Sequence, residues 1–249
     1  MILKKIIQWS PKTFPFFKKG ETILIGHRGA PILAYENTIE SFKKAFDTDL
    51  MGIELDLQLT KDKKLIIFHD WKIVTKNGLQ KKISLLNYSD ILSNNKNIKI
   101  PLLNNLINIL PQNKFLNIEI KSMKIFNFEL EKKLLNLLYD KKILNRVIIS
   151  SFNPFALYKI KKMNPNIFTA FIWTNNHSPL LINTPLWAWF CKPDGFHIDY
   201  NYLNKKIIKW IKRKKMTILS YTINNKKDYI IAKKLNINGV FTDNPYLIK

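Results

Sequence analysis

The chain has a single cysteine, Cys191, so it can form no internal disulfide, which suits a reducing compartment. It has no long apolar run. The opening stretch MILKKIIQWSPKTFPFFKKG is charged, and its apolar pieces are too short and broken for a signal-peptide core or a membrane span. No Gly-rich loop follows the first strand-like run, which argues against a nucleotide-binding open sheet. No linker, repeat or low-complexity break divides the 249 residues, a length that α/β barrels use as one unit. Acid is scarce: 18 Asp and Glu stand against 41 Lys and Arg, a formal charge of +23. That surplus favours phosphate-bearing partners. A chain dense in Lys, Asn and Ile, all with A/T-rich codons, gives the same surplus as a merely solvated surface. The expectation is a cytoplasmic protein of one domain over residues 1–249, with 1–21 as an N-terminal extension; an interfacial anchor at the N-terminus is the alternative.

Strand-like runs recur at 22–27, 52–59, 114–120, 146–151, 167–173, 194–199, 216–223 and 238–243, with segments of helical period between most of them. One helical face carries Ile39, Phe42 and Phe46, and another Leu130, Leu134, Leu137 and Leu138. Eight strands alternating with helices predict a (β/α)8 TIM barrel. Asn37 is placed to cap the first helix, with Glu40 completing a capping box, and Pro101 to open the helix PLLNNLINIL.

Histidines number only four, and two of them end strand-like runs: His27 in ILIGHRGA and His69 in LIIFHD. In GIELDLQL, Glu54 and Asp56 fall on one face of the strand and Ile53, Leu55 and Leu57 on the other. Glu119 and Lys121 repeat the device in NIEIK. Carboxylates on the inner face of a barrel strand lose hydration and repel one another unless a cation joins them. The TKDK turn after residue 59 is too short for a parallel crossover, so the next run predicts an antiparallel hairpin. Centred between Lys61 and Asp62, that hairpin puts Glu54 opposite His69. The C-terminal mouth of the barrel then gathers His27, Arg28, Glu54, Asp56, His69, Glu119 and Lys121. Three carboxylates without an accompanying Cys suit one hard divalent cation, Mg2+ or Ca2+. The Arg and Lys suit phosphate, and two histidines can share general acid and base work. His197 and Asp199 share a face at the end of another run and either line the same pocket or cap a loop.

The motifs GHRGA, ENTIESFKKAF, GIELDLQLTKD, LIIFHD, NIEIK, VIISSF and GVFTDNP occur here in one order. From about residue 22 onward the chain resembles the glycerophosphodiester phosphodiesterase family, and its compact cytoplasmic members in the short connection after FHD. The resemblance implies a TIM barrel and metal-dependent hydrolysis of small glycerophosphodiesters to sn-glycerol 3-phosphate and an alcohol. It implies His27 and His69 as the acid–base pair and Glu54, Asp56 and Glu119 as metal ligands. Arg28 and Lys121 become phosphate contacts. His197, from its place at the end of its strand, and Tyr221 are read as further substrate-binding residues. In the mechanism it implies, the neighbouring glycerol hydroxyl attacks phosphorus and water then opens a cyclic phosphate. Tyr35, residues 73–78 and 100–105, and Tyr221 depart from the usual family pattern, which bears on substrate preference and not on reaction class.

Two other functions compete. Residues 179–192, with Trp187, Trp189 and Phe190, form either a helix packed on the barrel or an interfacial patch, which would turn the same chemistry toward membrane lysophospholipids. A non-catalytic barrel could use the charge to bind polyanions, but no arginine- and aromatic-rich nucleic-acid motif accompanies it, so no nucleic-acid partner is expected. His177, in NNHSP, is read as a surface loop residue.

Overall fold

The computed structural model describes residues 9–94, 99–175 and 186–249. The chain begins with β1 (Ile23–Gly26), α1 (Ile39–Phe46) and β2 (Gly52–Leu59). An excursion follows: β3 (Leu65–Ile67), β4 (Lys72–Val74), β5 (Gln80–Lys82), α2 (Tyr88–Asn94) and α3 (Leu103–Ile107). Alternation resumes with β6 (Phe115–Ile120), α4 (Glu129–Asp140), β7 (Val147–Ser151), α5 (Pro154–Met163) and β8 (Phe168–Trp173). It ends with α6 (Trp187–Cys191), β9 (Gly195–Asp199), α7 (Lys205–Arg213), β10 (Thr217–Tyr221), α8 (Lys226–Lys234) and β11 (Gly239–Thr242). The eight parallel strands β1, β2, β6, β7, β8, β9, β10 and β11 close into a ring through β1–β2 and β1–β11. This is the predicted (β/α)8 barrel, and each of its strands lies inside its predicted run.

The ring has two hydrophobic layers. Outside, Leu and Ile from the strands pack on helical residues such as Phe42, Leu134, Leu157 and Ile211. Inside, the lower half is filled by Ile23, Ile25, Phe115, Ile148, Phe168, Leu219 and Phe241. The floor is closed from outside the ring by Phe14, whose ring lies 5.2 Å from those of Phe115 and Phe168. Trp9 Nε1 donates to Pro193 O and Lys12 N to Asp194 Oδ1, both at 2.9 Å, and tie that segment down. A third cluster, with Ile66, Ile73, Ile83 and Ile91, supports the excursion.

β3 is the extra strand. It pairs antiparallel with the end of β2, as predicted, but Leu57 faces Ile67 and Leu59 faces Leu65, one residue away from the predicted register. The cause is the turn. Lys63 adopts a left-handed φ of 66° and its N–H bonds Thr60 O, making a three-residue loop centred on Asp62. Two helix starts also differ from expectation. Thr38, not Asn37, caps α1 by accepting from Ser41 N, so Glu40 completes no capping box. Pro101 precedes Leu102, the residue flanking α3, and its carbonyl accepts from Ile67 N instead.

Residues 179–185, with His177, lie outside the described residues. In the described remainder, Trp187 and Phe190 pack on Phe155 of α5, and Trp189 meets Trp9. Among the described residues no helix is long and apolar enough to cross a membrane.

Candidate active site

The first strand ends in a turn that only small residues permit. A Cβ on Gly26 would lie 2.1 Å from Gly29 O, and one on Gly29, whose φ is +94°, would lie 2.4 Å from Ser41 Oγ. This turn turns out His27 and Arg28. Barrel closure pairs Gly26 with Thr242, so the next residues on the two strands, His27 and Asp243, become neighbours. His27 Nδ1 lies 2.8 Å from Asp243 Oδ1, and Asn224 Nδ2 donates to the other carboxylate oxygen at 2.6 Å. Burial would raise the Asp243 pKa, but the His27 and Asn224 contacts outweigh it and hold the carboxyl below its usual value. An ionised Asp243 favours the tautomer with hydrogen on Nδ1, which makes Nε2 of His27 the accepting ring nitrogen.

β2 and β6 supply the carboxylates. Their register sets Asp56 beside Glu119, and Glu54 lies one inward position below on β2. Each of the three offers an oxygen within 4.8 Å of the others. Glu54 Oε2 accepts from Arg28 N at 2.9 Å. Asp56 is held from three sides: Asn37 Nδ2 at 2.9 Å, Arg28 Nε at 3.3 Å and Lys121 Nζ at 3.4 Å. Lys121 also pairs with Glu119 at 3.0 Å, and Arg28 with Glu36 at 2.8 Å. Burial dominates the Glu54 and Glu119 carboxyls and raises both, with the neighbouring carboxylates adding to it. Burial acts the same way on Asp56, but Lys121 and Arg28 overcome it and hold it below its usual value. Two buried carboxylates and a half-buried one against two cationic side chains make an oxygen-only donor set short of positive charge. These residues fit a hard divalent cation.

His69 arrives by a route that β3 explains. One edge of β2 is taken by β6, and β1 covers only Gly52 and Ile53 of the other. β3 takes the upper part of that edge and runs back toward the end of β1, with Phe68 N donating to Asp56 O at 2.9 Å. His69 is therefore brought down onto the mouth where β1 presents His27. Its Nδ1 lies 2.8 Å from Asp70 Oδ1. Gln58 of β2, nearly fully buried, donates from Nε2 to Phe68 O at 2.7 Å and Asp70 O at 2.8 Å, clamping the turn that carries His69.

These groups surround one cavity of about 260 Å3, lined by His27, Arg28, Glu54, His69, Glu119 and Lys121 on one side. Phe152, Ile172, Tyr221 and Phe241 make the opposite wall, with Asn117 and His197 among them. His197 is buried, its Nε2 has no partner, and desolvation pulls its pKa down to about 3. Asn117 donates to Ser150 Oγ at 2.9 Å while its Oδ1 is unpartnered. Tyr221 OH donates to Trp173 O at 3.0 Å, and Asp199 does not line the cavity but accepts from Thr174 Oγ1 and Asn201 N. The site residues expected from the sequence are thus at or directly beneath this cavity, except Asp199, which takes the loop-capping alternative by accepting from Asn201 N.

Asn37, Gln58, Asn117, Phe152 and Asp243 were not anticipated there. Gln58 had a signal, since it continues the inward series of Glu54 and Asp56. Asp243 had one in barrel closure, which makes the first and last strands neighbours. Asn37 was indistinguishable from a helix cap.

A parallel barrel whose mouth joins a carboxylate triad, two histidines and two phosphate-suited cations defines a phosphoester-cleaving TIM-barrel hydrolase. The profile of the glycerophosphoryl diester phosphodiesterase family matches residues 27–247, and the chain belongs to that family of phosphodiesterases. A glycerophosphodiester phosphodiesterase of Caldanaerobacter subterraneus is 29% identical over 237 residues, which are 90% of this chain and 95% of that one. The solved glycerophosphodiester phosphodiesterase of Thermotoga maritima matches with a TM-score of 0.74 at 26% identity, over 91% of this chain and 96% of that one. A phosphodiesterase of Oleispira antarctica, solved with the product sn-glycerol-3-phosphate, shares the fold with a TM-score of 0.76 at 22% identity, over 92% and 94% of the two chains.

Proposed function

We propose that this protein hydrolyses small glycerophosphodiesters to sn-glycerol 3-phosphate and an alcohol, with one divalent cation and His27 and His69 as the acid–base pair. The observation that carries the reading is the meeting of both histidines, Arg28, Lys121 and the carboxylates around one cavity. The volume of about 260 Å3 suits a compact polar head group better than a lipid chain. The product held by the Oleispira phosphodiesterase supports the same choice.

Glu54, Asp56 and Glu119 would hold Mg2+ or Ca2+, which when bound supplies positive charge to the phosphoryl oxygens. Arg28 and Lys121, already anchored on Asp56, steady the non-bridging oxygens. One imidazole takes the proton of the neighbouring glycerol hydroxyl as it attacks phosphorus and the other gives one to the departing alcohol; water then opens the cyclic phosphate to give sn-glycerol 3-phosphate. Asp243 orients His27, and Gln58 fixes the turn that carries His69. We read residues 1–249 as one domain with 1–21 an N-terminal extension; Phe14, packed in the barrel floor, supports the single domain.

The test is release of glycerol 3-phosphate from glycerophosphocholine in Mg2+, in Ca2+ and in EDTA, with His69→Ala alongside. Metal-dependent release that the variant lacks is the expected result. A folded, metal-supplied wild type that leaves the diester intact overturns the reading, and lysophospholipids become the next substrates to try.

A further inference from the structure

Two loops at the mouth carry a surface that the chemistry above does not use. The excursion after β3 holds the β4–β5 hairpin, and residues 121–128 follow β6, so both sit at the end of the barrel that opens the cavity. Trp71 and Lys82 from the first and Met123 and Lys124 from the second line one groove of about 470 Å3, and Lys121 lines both this groove and the catalytic cavity.

The side chains around it are large and apolar, yet they face outward. In β4, Ile73 enters the third core cluster while Val74 points away from it. Leu79 beside the Gly78 turn, Leu85 and Met123 are each more than half exposed, and Phe126 is 92% exposed. A phenylalanine so fully exposed, on a loop whose Met123 shares the groove with Trp71, marks an interaction surface and not ordinary surface scatter. Charge completes the pattern. Apart from Lys121, which Asp56 and Glu119 hold, residues 71–86 and 121–128 contain Lys72, Lys76, Lys81, Lys82 and Lys124 and no Asp or Glu, with Asp70 and Glu129 flanking them. Glu129, the acid that also lines the groove, is paired with Lys63. Apolar tips among exposed lysines match a partner that is apolar beneath and anionic at its face, which is the chemistry of an acidic lipid bilayer.

We propose that these two loops dock the barrel mouth on an anionic lipid bilayer. Leu79, Leu85 and Phe126 enter the interface while the lysines meet the head groups. The described part of 179–192 is not this surface, since α6 runs into Pro193, where Trp9 and the floor segment also pack, and its rings are engaged by α5 and Trp9.

The test is co-sedimentation of the full chain with vesicles of phosphatidylcholine alone, or of phosphatidylcholine with phosphatidylglycerol. Binding is expected to the second kind only, to weaken with salt, and to fall about tenfold or more in Leu85→Ser/Phe126→Ser. Both side chains are exposed, so the variant should melt with the wild type and hydrolyse glycerophosphocholine at the wild-type rate. Equal binding by the variant would reduce the effect to the general +23 charge and overturn the proposal. So would no binding to acidic vesicles, or a concentration-dependent dimer that the variant abolishes, which would make a second copy the occupant. The readout is vesicle binding, so loss of the hydrolytic reading would leave this result standing, and the reverse holds too.

Discussion

Replacing Gln58 with alanine tests the claim that His69 is positioned by a side chain and not by its own strand. β3 ends at Ile67, two residues short of the histidine. Beyond the Phe68 N–H bond to Asp56, the backbone at 68–70 is held by Gln58 through carbonyls at 2.7 and 2.8 Å. Each such bond contributes about 1 kcal/mol, so the turn loses about 2 kcal/mol of local stability. That raises the population of displaced turns roughly thirtyfold. A displacement of about 1 Å at a catalytic group costs up to about a hundredfold in rate. Gln58→Ala should therefore lose about ten- to a hundredfold in kcat on glycerophosphocholine with KM little changed, while Tm drops by only about 4–8 °C. Gln58→Glu should be worse, because a carboxylate would face two carbonyls and add charge beside Asp56. A Gln58→Ala enzyme with wild-type kcat, or one whose whole loss lies in KM, would refute the reasoning.

Other outcomes follow from the same geometry. Asn37 combines a left-handed φ of 56° with a hydrogen bond to Asp56, so Asn37→Gly should keep the fold and lose more than about tenfold in activity. Asn37→Ala should lower Tm as well, which thermal melts will distinguish. Phe14→Ala empties the barrel floor and should cost about 3–5 kcal/mol in urea unfolding, with the site chemistry untouched at permissive temperature. His197 is held neutral by burial, its folded pKa near 3 against an ordinary 6.5. The unfolded chain alone takes the proton below pH 6.5, so stability is intact above that pH and falls as pH drops toward 3. The slope is about 1.4 kcal/mol per pH unit, or about 2 kcal/mol between pH 6.5 and 5. Urea midpoints should show this drop in the wild type and lack it in His197→Leu, and the His197 ring signals should not titrate in NMR spectra between pH 8 and 5.

The barrel was readable because its strands are made of β-branched runs whose alternation is interrupted only where chemistry intrudes. Glu54, Asp56 and Glu119 stood out as charges on a face that a closed ring must bury, and the structure places them together. What escaped reading depended on single backbone conformations. A lysine at position 63 does not advertise a left-handed φ, yet it moves the hairpin register by one residue. Asn37 suits both a helix cap and a left-handed turn, and the choice is made by the buried Asp56, which needs a donor. Phe14 belongs to no periodic segment, so nothing local links it to a floor formed by strands up to 227 residues away, at Phe241.

The register error was harmless for a physical reason. β3 ends before the histidine, so the face on which His69 emerges is set by the Gln58 clamp and not by strand alternation. Within a ladder, a one-residue slip would have moved the histidine to the opposite face. The prediction that β3 is antiparallel was the part that mattered. A parallel strand would leave its last residues pointing the same way as β2, among the loops above the mouth. An antiparallel one, seated on the edge that β1 leaves free, runs back onto the end of β1 and brings His69 to His27. The extra strand is thus the element that brings a second partly exposed histidine to a cavity already lined by His27 and the buried His197.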